Sequence, residues 1–134
     1  MTNPELAGVA ALLLRVSLGI MFFAHAWLKI KVFTPAGTAK YFESLGVPGW
    51  LAYATIAAEI AGGALLILGI GTRWVALLLV PLILGTIVLV HGKAGWLFTN
   101  KDGGWEYPAF WAVGLLALAA LGDGSAALGP MIGL

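Results

Sequence analysis

The chain has 134 residues, 61% of them hydrophobic and 10% charged, with a formal net charge of +1 and no cysteine. A water-soluble domain carries about 25% charged residues, so the composition excludes an ordinary soluble enzyme. The near-zero charge excludes nucleic acid as a partner, and the missing cysteines exclude disulfides, thiol redox chemistry and thiolate metal ligation.

The first apolar run extends from about Leu6 to Ile30. Asn3 suits a helix N-cap, with Pro4 and Glu5 in the first turn. The preceding MTNPELAG lacks the basic start of a secretory signal, so this run is read as a permanent membrane span. A mean hydropathy of +1.01 agrees with that setting. After it, Pro35 to Leu45 places Tyr41, Phe42 and Leu45 at helical spacing beside Lys40 and Glu43. That pattern predicts a short amphipathic helix lying in the membrane interface.

The breaker Gly46-Val47-Pro48-Gly49 precedes a second span, about Trp50 to Ile70. A tight Gly69–Gly71 turn leads to a third, about Thr72 to Val90, with Pro81 inside it and a kink expected there. A fourth run, from about residue 105 to Leu121, stops at Gly122-Asp123-Gly124. Each run approaches the ~20 residues that cross ~30 Å of hydrocarbon, and lipid forces such segments to be helical. The tail, Ser125 to Leu134, is apolar but too short to cross again and is expected in the interface. The expected fold is therefore all-α: a single transmembrane domain over residues 1–134, a four-helix bundle with an interfacial helix between the first two spans.

Four spans place both termini on one side and the two long connections, about 31–49 and 92–106, on the other. Lys29, Lys31, Lys40, Lys93 and Lys101 fall on the long-loop side and Arg73 on the terminal side. The positive-inside rule then puts the long loops in the cytoplasm and the termini in the periplasm.

The chemistry should reside in the few polar residues of the spans, because a charge in lipid costs several kcal/mol. Arg15 and Glu59 lie about ten residues into adjacent antiparallel spans, which predicts a buried ion pair. Its simplest role is to fix helix register; handling a proton or substrate is the other. His25 and His91 end parallel spans on one membrane face, and Glu106 opens the fourth span there. These three are the candidate catalytic residues: they could bond a redox group's polar atoms, exchange protons near neutral pH, or ligate a metal. No H-x-x-H or H-E-x-x-H spacing supports the metal, and none is assigned. The competing reading makes each histidine an interfacial residue bonded to a backbone carbonyl. A ring-binding pocket is expected among Phe22, Phe23, Trp27, Tyr53 and Trp111, with Lys29, Trp96 and Trp105 at its edge. Gly62 and Gly63 are read as points of close helix approach, and the glycines form no phosphate loop.

Three stretches carry a family resemblance: LLLRVSLGIMFFAHAWLKI with Arg15 and His25, AAEIAGGALLILGIGTR with Glu59, Gly62, Gly63 and Arg73, and HGKAGWLFTNKDGGWEYPAFWAVGLLALAALGDG. They resemble the DoxX family, and together they cover nearly the whole chain. The resemblance implies a small four-helix protein of the bacterial inner membrane. Its relatives are associated with thiosulfate:quinone oxidoreduction, quinone or catechol resistance, oxidative-stress complexes and cofactor maturation, so it implies fold more strongly than activity.

Two functional expectations follow. One is a redox-linked subunit binding a quinone-like molecule, with electrons from a soluble partner or the ligand, since no haem or flavin motif is visible. The other is a non-catalytic scaffold, assembly factor or lipophile binder that recruits a soluble partner. The bilayer is the common surrounding of both, and either admits a homo-oligomer.

Overall fold

A computed structural model of the protein describes residues 3–124 and 126–133. The described residues are helical wherever they are regular. Helix α1 (Pro4–Trp27) begins where expected: Asn3 caps it by accepting from the Glu5 amide at 2.8 Å, and Pro4 occupies the first turn. It continues without a break into a π-helical segment, Leu28–Val32. Helix α2 (Pro35–Ser44) follows, then α3 (Trp50–Leu68), α4 (Thr72–Leu89) and α5 (Glu106–Leu121), with single 3-10 turns at His91–Ala94 and Gly129–Ile132.

The α1–π unit, α3 and α4 are each long and apolar enough to cross a membrane. Helix α5 has 16 residues, or about 24 Å at 1.5 Å per residue, and completes a four-helix bundle. Burial follows the helical period. Ala11, Arg15, Leu18, Gly19, Phe22 and Ala26 form the inner stripe of α1, and Ala52, Ile56, Glu59, Gly62, Gly63 and Leu66 that of α3. The outer faces carry exposed residues such as Leu13, Leu78, Val88 and Phe110, as lipid-facing helices require. Pro81 is exposed on α4, which runs through it as one helix.

Close backbone contact sets the register of α1 on α3. A methyl group on Gly19 would lie 2.8 Å from the Gly63 carbonyl oxygen, and one on Gly63 would lie 2.9 Å from that of Gly19. The two helices are antiparallel, so Arg15 is level with Ile67 and Glu59 is level with Phe23. Arg15 and Glu59 are therefore separated along the bundle by eight residues of rise, about 12 Å.

That register overturns the expected Arg15–Glu59 pair. Arg15 instead serves the C-terminal end of α3. Its Nη1 donates to the carbonyls of Leu66 and Ile67, both at 3.2 Å, and its Nη2 to Ala126 at 2.5 Å. Helix ends leave carbonyls without intrahelical partners, and a cation there also meets the negative end of the helix dipole. The tail supplies two more donors, Leu128 N to Leu68 O at 3.0 Å and Gly129 N to Gly69 O at 2.8 Å. The described part of the tail is thus a strap across α3; Ser125 and Leu134, the ends of the expected interfacial tail, lie outside the described residues. Gly69, at φ +73°, permits this crowding: a methyl there would be 2.5 Å from both Arg15 Nη1 and Ala127 Cβ. The separation arises because α1 with its π segment is ten residues longer than the 19-residue α3, so similar depths from opposite ends do not meet.

Candidate ligand site at the long-loop end

The segment from Gly95 to Glu106 folds back on itself. Trp105 N donates to Gly95 O at 2.8 Å, Glu106 N to Trp96 O at 3.0 Å and Gly104 N to Leu97 O at 2.9 Å. Gly104 has no space for a side chain, since a Cβ would collide with the Leu97 carbonyl oxygen. Trp96 and Trp105 consequently meet edge to face, with centroids 4.5 Å apart. Two of the sequence-selected residues hold this loop. His91 Nδ1 is 2.7 Å from Gly103 O, and Glu106 Oε2 accepts from Phe98 N at 2.7 Å. Glu106 sits in the first turn of α5, where a carboxylate is favoured by the helix dipole.

Beside this loop is a half-open cavity of about 420 Å³, lined by Met21, Trp96, Phe98, Glu106, Tyr107, Ala109, Phe110, Trp111 and Val113. The volume falls within the ~300–1,000 Å³ of small-molecule sites. An aromatic stack forms its inner side. Trp111 packs on Phe22 at 4.8 Å and on Tyr107 at 5.9 Å, and the His25 ring lies 4.7 Å from Trp111 and 6.2 Å from Tyr107.

Hydrogen bonding fixes what His25 can offer. Its Nδ1 is 2.9 Å from Met21 O. A carbonyl only accepts, so Nδ1 carries the hydrogen and Nε2 of the neutral ring presents a lone pair. The same argument gives His91 a lone pair at Nε2. Trp111 is only 4% exposed, yet its Nε1–H has no hydrogen-bond partner. A buried donor left in that state costs about 1–3 kcal/mol.

The structure therefore gathers only part of the predicted site. Trp96, Glu106 and Trp111 line the cavity, and His25 lies behind Trp111 and Tyr107. Phe22 is fully buried beneath Trp111 and does not line the cavity. Trp105 reaches it only through Trp96. Trp27 and Tyr53, at 62% and 52% exposure, face outward away from it; Trp27 takes Lys31 over its ring at 5.7 Å. Phe23 is exposed against Gly63. Lys29 is committed to Glu59, with Nζ 3.0 Å from Oε1 and 3.2 Å from Oε2. His91 acts on the loop. Among the described residues no group of three or more histidine, aspartate and glutamate side chains is arranged to hold a metal. Met21, Phe98, Tyr107, Ala109, Phe110 and Val113 line the cavity without having been expected there. The spacing of Tyr107 four residues before Trp111, hence on one face of α5, was the available signal.

Comparison with known proteins adds a family. The profile of the DoxX family matches residues 10–92. A Bacillus subtilis (strain 168) protein named "Putative oxidoreductase CatD" is 34% identical over 124 residues, covering 92% of this chain and 87% of the relative. Two Escherichia coli (strain K12) proteins are also similar. Inner membrane protein YqjF is 36% identical over 89 residues, 66% of this chain and 67% of its own. Inner membrane protein YphA is 32% identical over 127 residues, 90% of this chain and 88% of its own. No solved structure matches the chain.

Proposed function

The chain belongs to the DoxX family and is a bacterial inner-membrane protein, and from that premise we propose that it is a redox-linked membrane subunit whose long-loop cavity binds a quinone-like ring. The observation that carries this reading is the unpartnered Nε1–H of Trp111, buried in an aromatic wall beside the cavity. A ring oxygen would accept that hydrogen. Glu106, which lines the cavity with only its Oε2 bonded to Phe98 N, would accept from a ring hydroxyl, so the two groups suit a molecule that alternates between carbonyl and hydroxyl oxygens. Trp96, Tyr107 and Phe110 offer faces for the ring itself. The name of the B. subtilis relative agrees with oxidoreduction. Electrons would come from the ligand or a soluble partner.

The test is binding of a short-chain benzoquinone and its quinol to the purified protein, followed by tryptophan fluorescence. Trp111→Phe should weaken binding by about tenfold, the value of one hydrogen bond of roughly 1.4 kcal/mol. Wild-type protein that binds neither form would overturn the reading.

A second reading, the non-catalytic membrane scaffold, is favoured by a different observation. Arg15 Nη1 and Nη2, His91 Nδ1 and Glu106 Oε2 all bond backbone groups of the fold. It predicts a protein that captures a soluble partner and leaves added quinone unbound.

A further inference from the structure

The Lys29–Glu59 contact lies outside the cavity and plays no part in the binding of a quinone-like ring. Glu59 is on the inner stripe of α3, and its side chain is 3% exposed; that of Lys29 is 18% exposed. A buried ion pair repays its desolvation best when further hydrogen bonds satisfy the remaining lone pairs. This pair leaves one oxygen unsatisfied. Oε2 takes the hydrogen bond from Nζ at 3.2 Å, while Oε1, although 3.0 Å from Nζ, is off the bonding direction and has no hydrogen-bond partner. One carboxylate oxygen is thus left able to take a proton inside the bundle.

The backbone around Lys29 is also unusual. It lies in the π-helical segment Leu28–Val32, where Phe33 N reaches back to Leu28 O at 3.0 Å. Such segments are rare and recur at functional sites. Thr38 of α2 donates its hydroxyl hydrogen to Thr34 O at 2.8 Å, with the Lys29 carbonyl 3.4 Å from the same oxygen, so α2 packs beside this segment. The neighbouring ionisable groups are few. On α1, His25 is four residues before Lys29, on the same face. Lys31 is turned to Trp27. Helix α2 contributes Lys40, Tyr41 and Glu43, all exposed, α3 has the exposed Tyr53 besides Glu59, and His91 follows α4.

We propose that Lys29 and Glu59 form a proton-holding pair within the membrane domain. Glu59 accepts a proton from water at the long-loop face, through the partly exposed side of Lys29, and becomes a neutral acid; Lys29 keeps its own proton. The pair passes from zero charge to +1 and no electrons move. His25, one turn away, links the pair to the cavity. That link rests on the proposed binding of a quinone-like ring, whereas the proton-holding itself does not.

The experiment uses the full chain in lipid nanodiscs without ligand, with infrared difference spectra recorded across an acid titration. A carboxylic acid carbonyl band should grow on acidification, be lost in Glu59→Gln and move in Glu59→Asp. Lys29→Met should remove its pH dependence and Lys29→Arg should keep it. A spectrum with no band altered by Glu59→Gln overturns the proposal. If Glu59→Gln does not fold, identical spectra of wild type and Glu59→Asp overturn it in the same way. A short-chain benzoquinol is then added, with its binding followed by fluorescence. A bound quinol that perturbs the Glu59 band supports the link through His25, and a bound quinol that leaves it unchanged overturns the link alone. If quinol does not bind, the cavity reading and the link fail, and the pair is judged by its pH titration.

Discussion

Gly19 on α1 and Gly63 on α3 put their backbones in contact, each where a methyl group would meet the other's carbonyl oxygen within 3 Å. This crossing sets which polar residues can meet. It levels Arg15 with the C-terminal end of α3 and leaves Glu59 to a lysine in the π-helical segment that continues α1. Lys29 reaches it because helical side chains lean toward the N-terminus, bringing its amine down toward the Phe23 level.

The first prediction concerns that crossing. Gly19→Ala or Gly63→Ala must push backbone as well as the Ile67 or Phe23 side chain and should destabilise the protein by about 1–3 kcal/mol. Thermal unfolding in detergent measures it. The double variant should cost less than the sum, because separating the helices once relieves both clashes. Full additivity would show that the glycines do not touch.

Arg15→Leu should leave the carbonyls of Ile67 and Ala126 without their donor and that of Leu66 with the Gly69 amide alone. The expected loss is at least about 3 kcal/mol, since bonds to a charged donor each contribute ~1.5–3 kcal/mol. Protease cleavage near residues 126–133 should accelerate in the same variant. Unchanged cleavage would mean that the strap is held by Leu128 and Gly129 alone.

Glu106→Ala removes the acceptor for Phe98 N. The loop should loosen by about 1–2 kcal/mol, and iodide should quench Trp96 and Trp105 more strongly. Glu106→Gln keeps a carbonyl oxygen at the same place and should restore wild-type quenching. If Gln behaves like Ala, the negative charge at the start of α5, rather than the hydrogen bond, orders the loop.

Trp111→Phe separates structure from ligand binding. It keeps an aromatic ring against Phe22 and His25 but deletes the unpartnered N–H. Removing a buried unsatisfied donor should leave stability unchanged or raise it by up to about 1 kcal/mol, while ligand affinity falls. A large loss of stability would show that the indole's second ring, and not its N–H, is what the site retains it for.

The helices, their order and the amphipathic segment between the first two spans are legible in the amino-acid sequence. Length and hydropathy suffice there, because lipid leaves the backbone no alternative to internal hydrogen bonds. Asn3 and Pro4 mark the start of α1, and Gly69 the end of α3, through local chemistry that needs no neighbours. The close approach at Gly62 and Gly63 is also readable, since small residues in an apolar helix have few other uses.

Partner choice is not. The sequence establishes that Arg15, His25, Glu59 and His91 need satisfying, because each lies in or beside an apolar run where an unmet polar group is costly. It does not determine by what. Glu59 takes Lys29 because Gly19 against Gly63 sets the helix register. Arg15 takes the carbonyls of α3 because the tail folds back to the same point. Trp27 and Tyr53 fall on outer faces because membrane helices are apolar all round, so hydropathy cannot tell the bundle side from the lipid side. Such a side is decided only when helices pack, and packing depends on contacts between residues far apart in the chain.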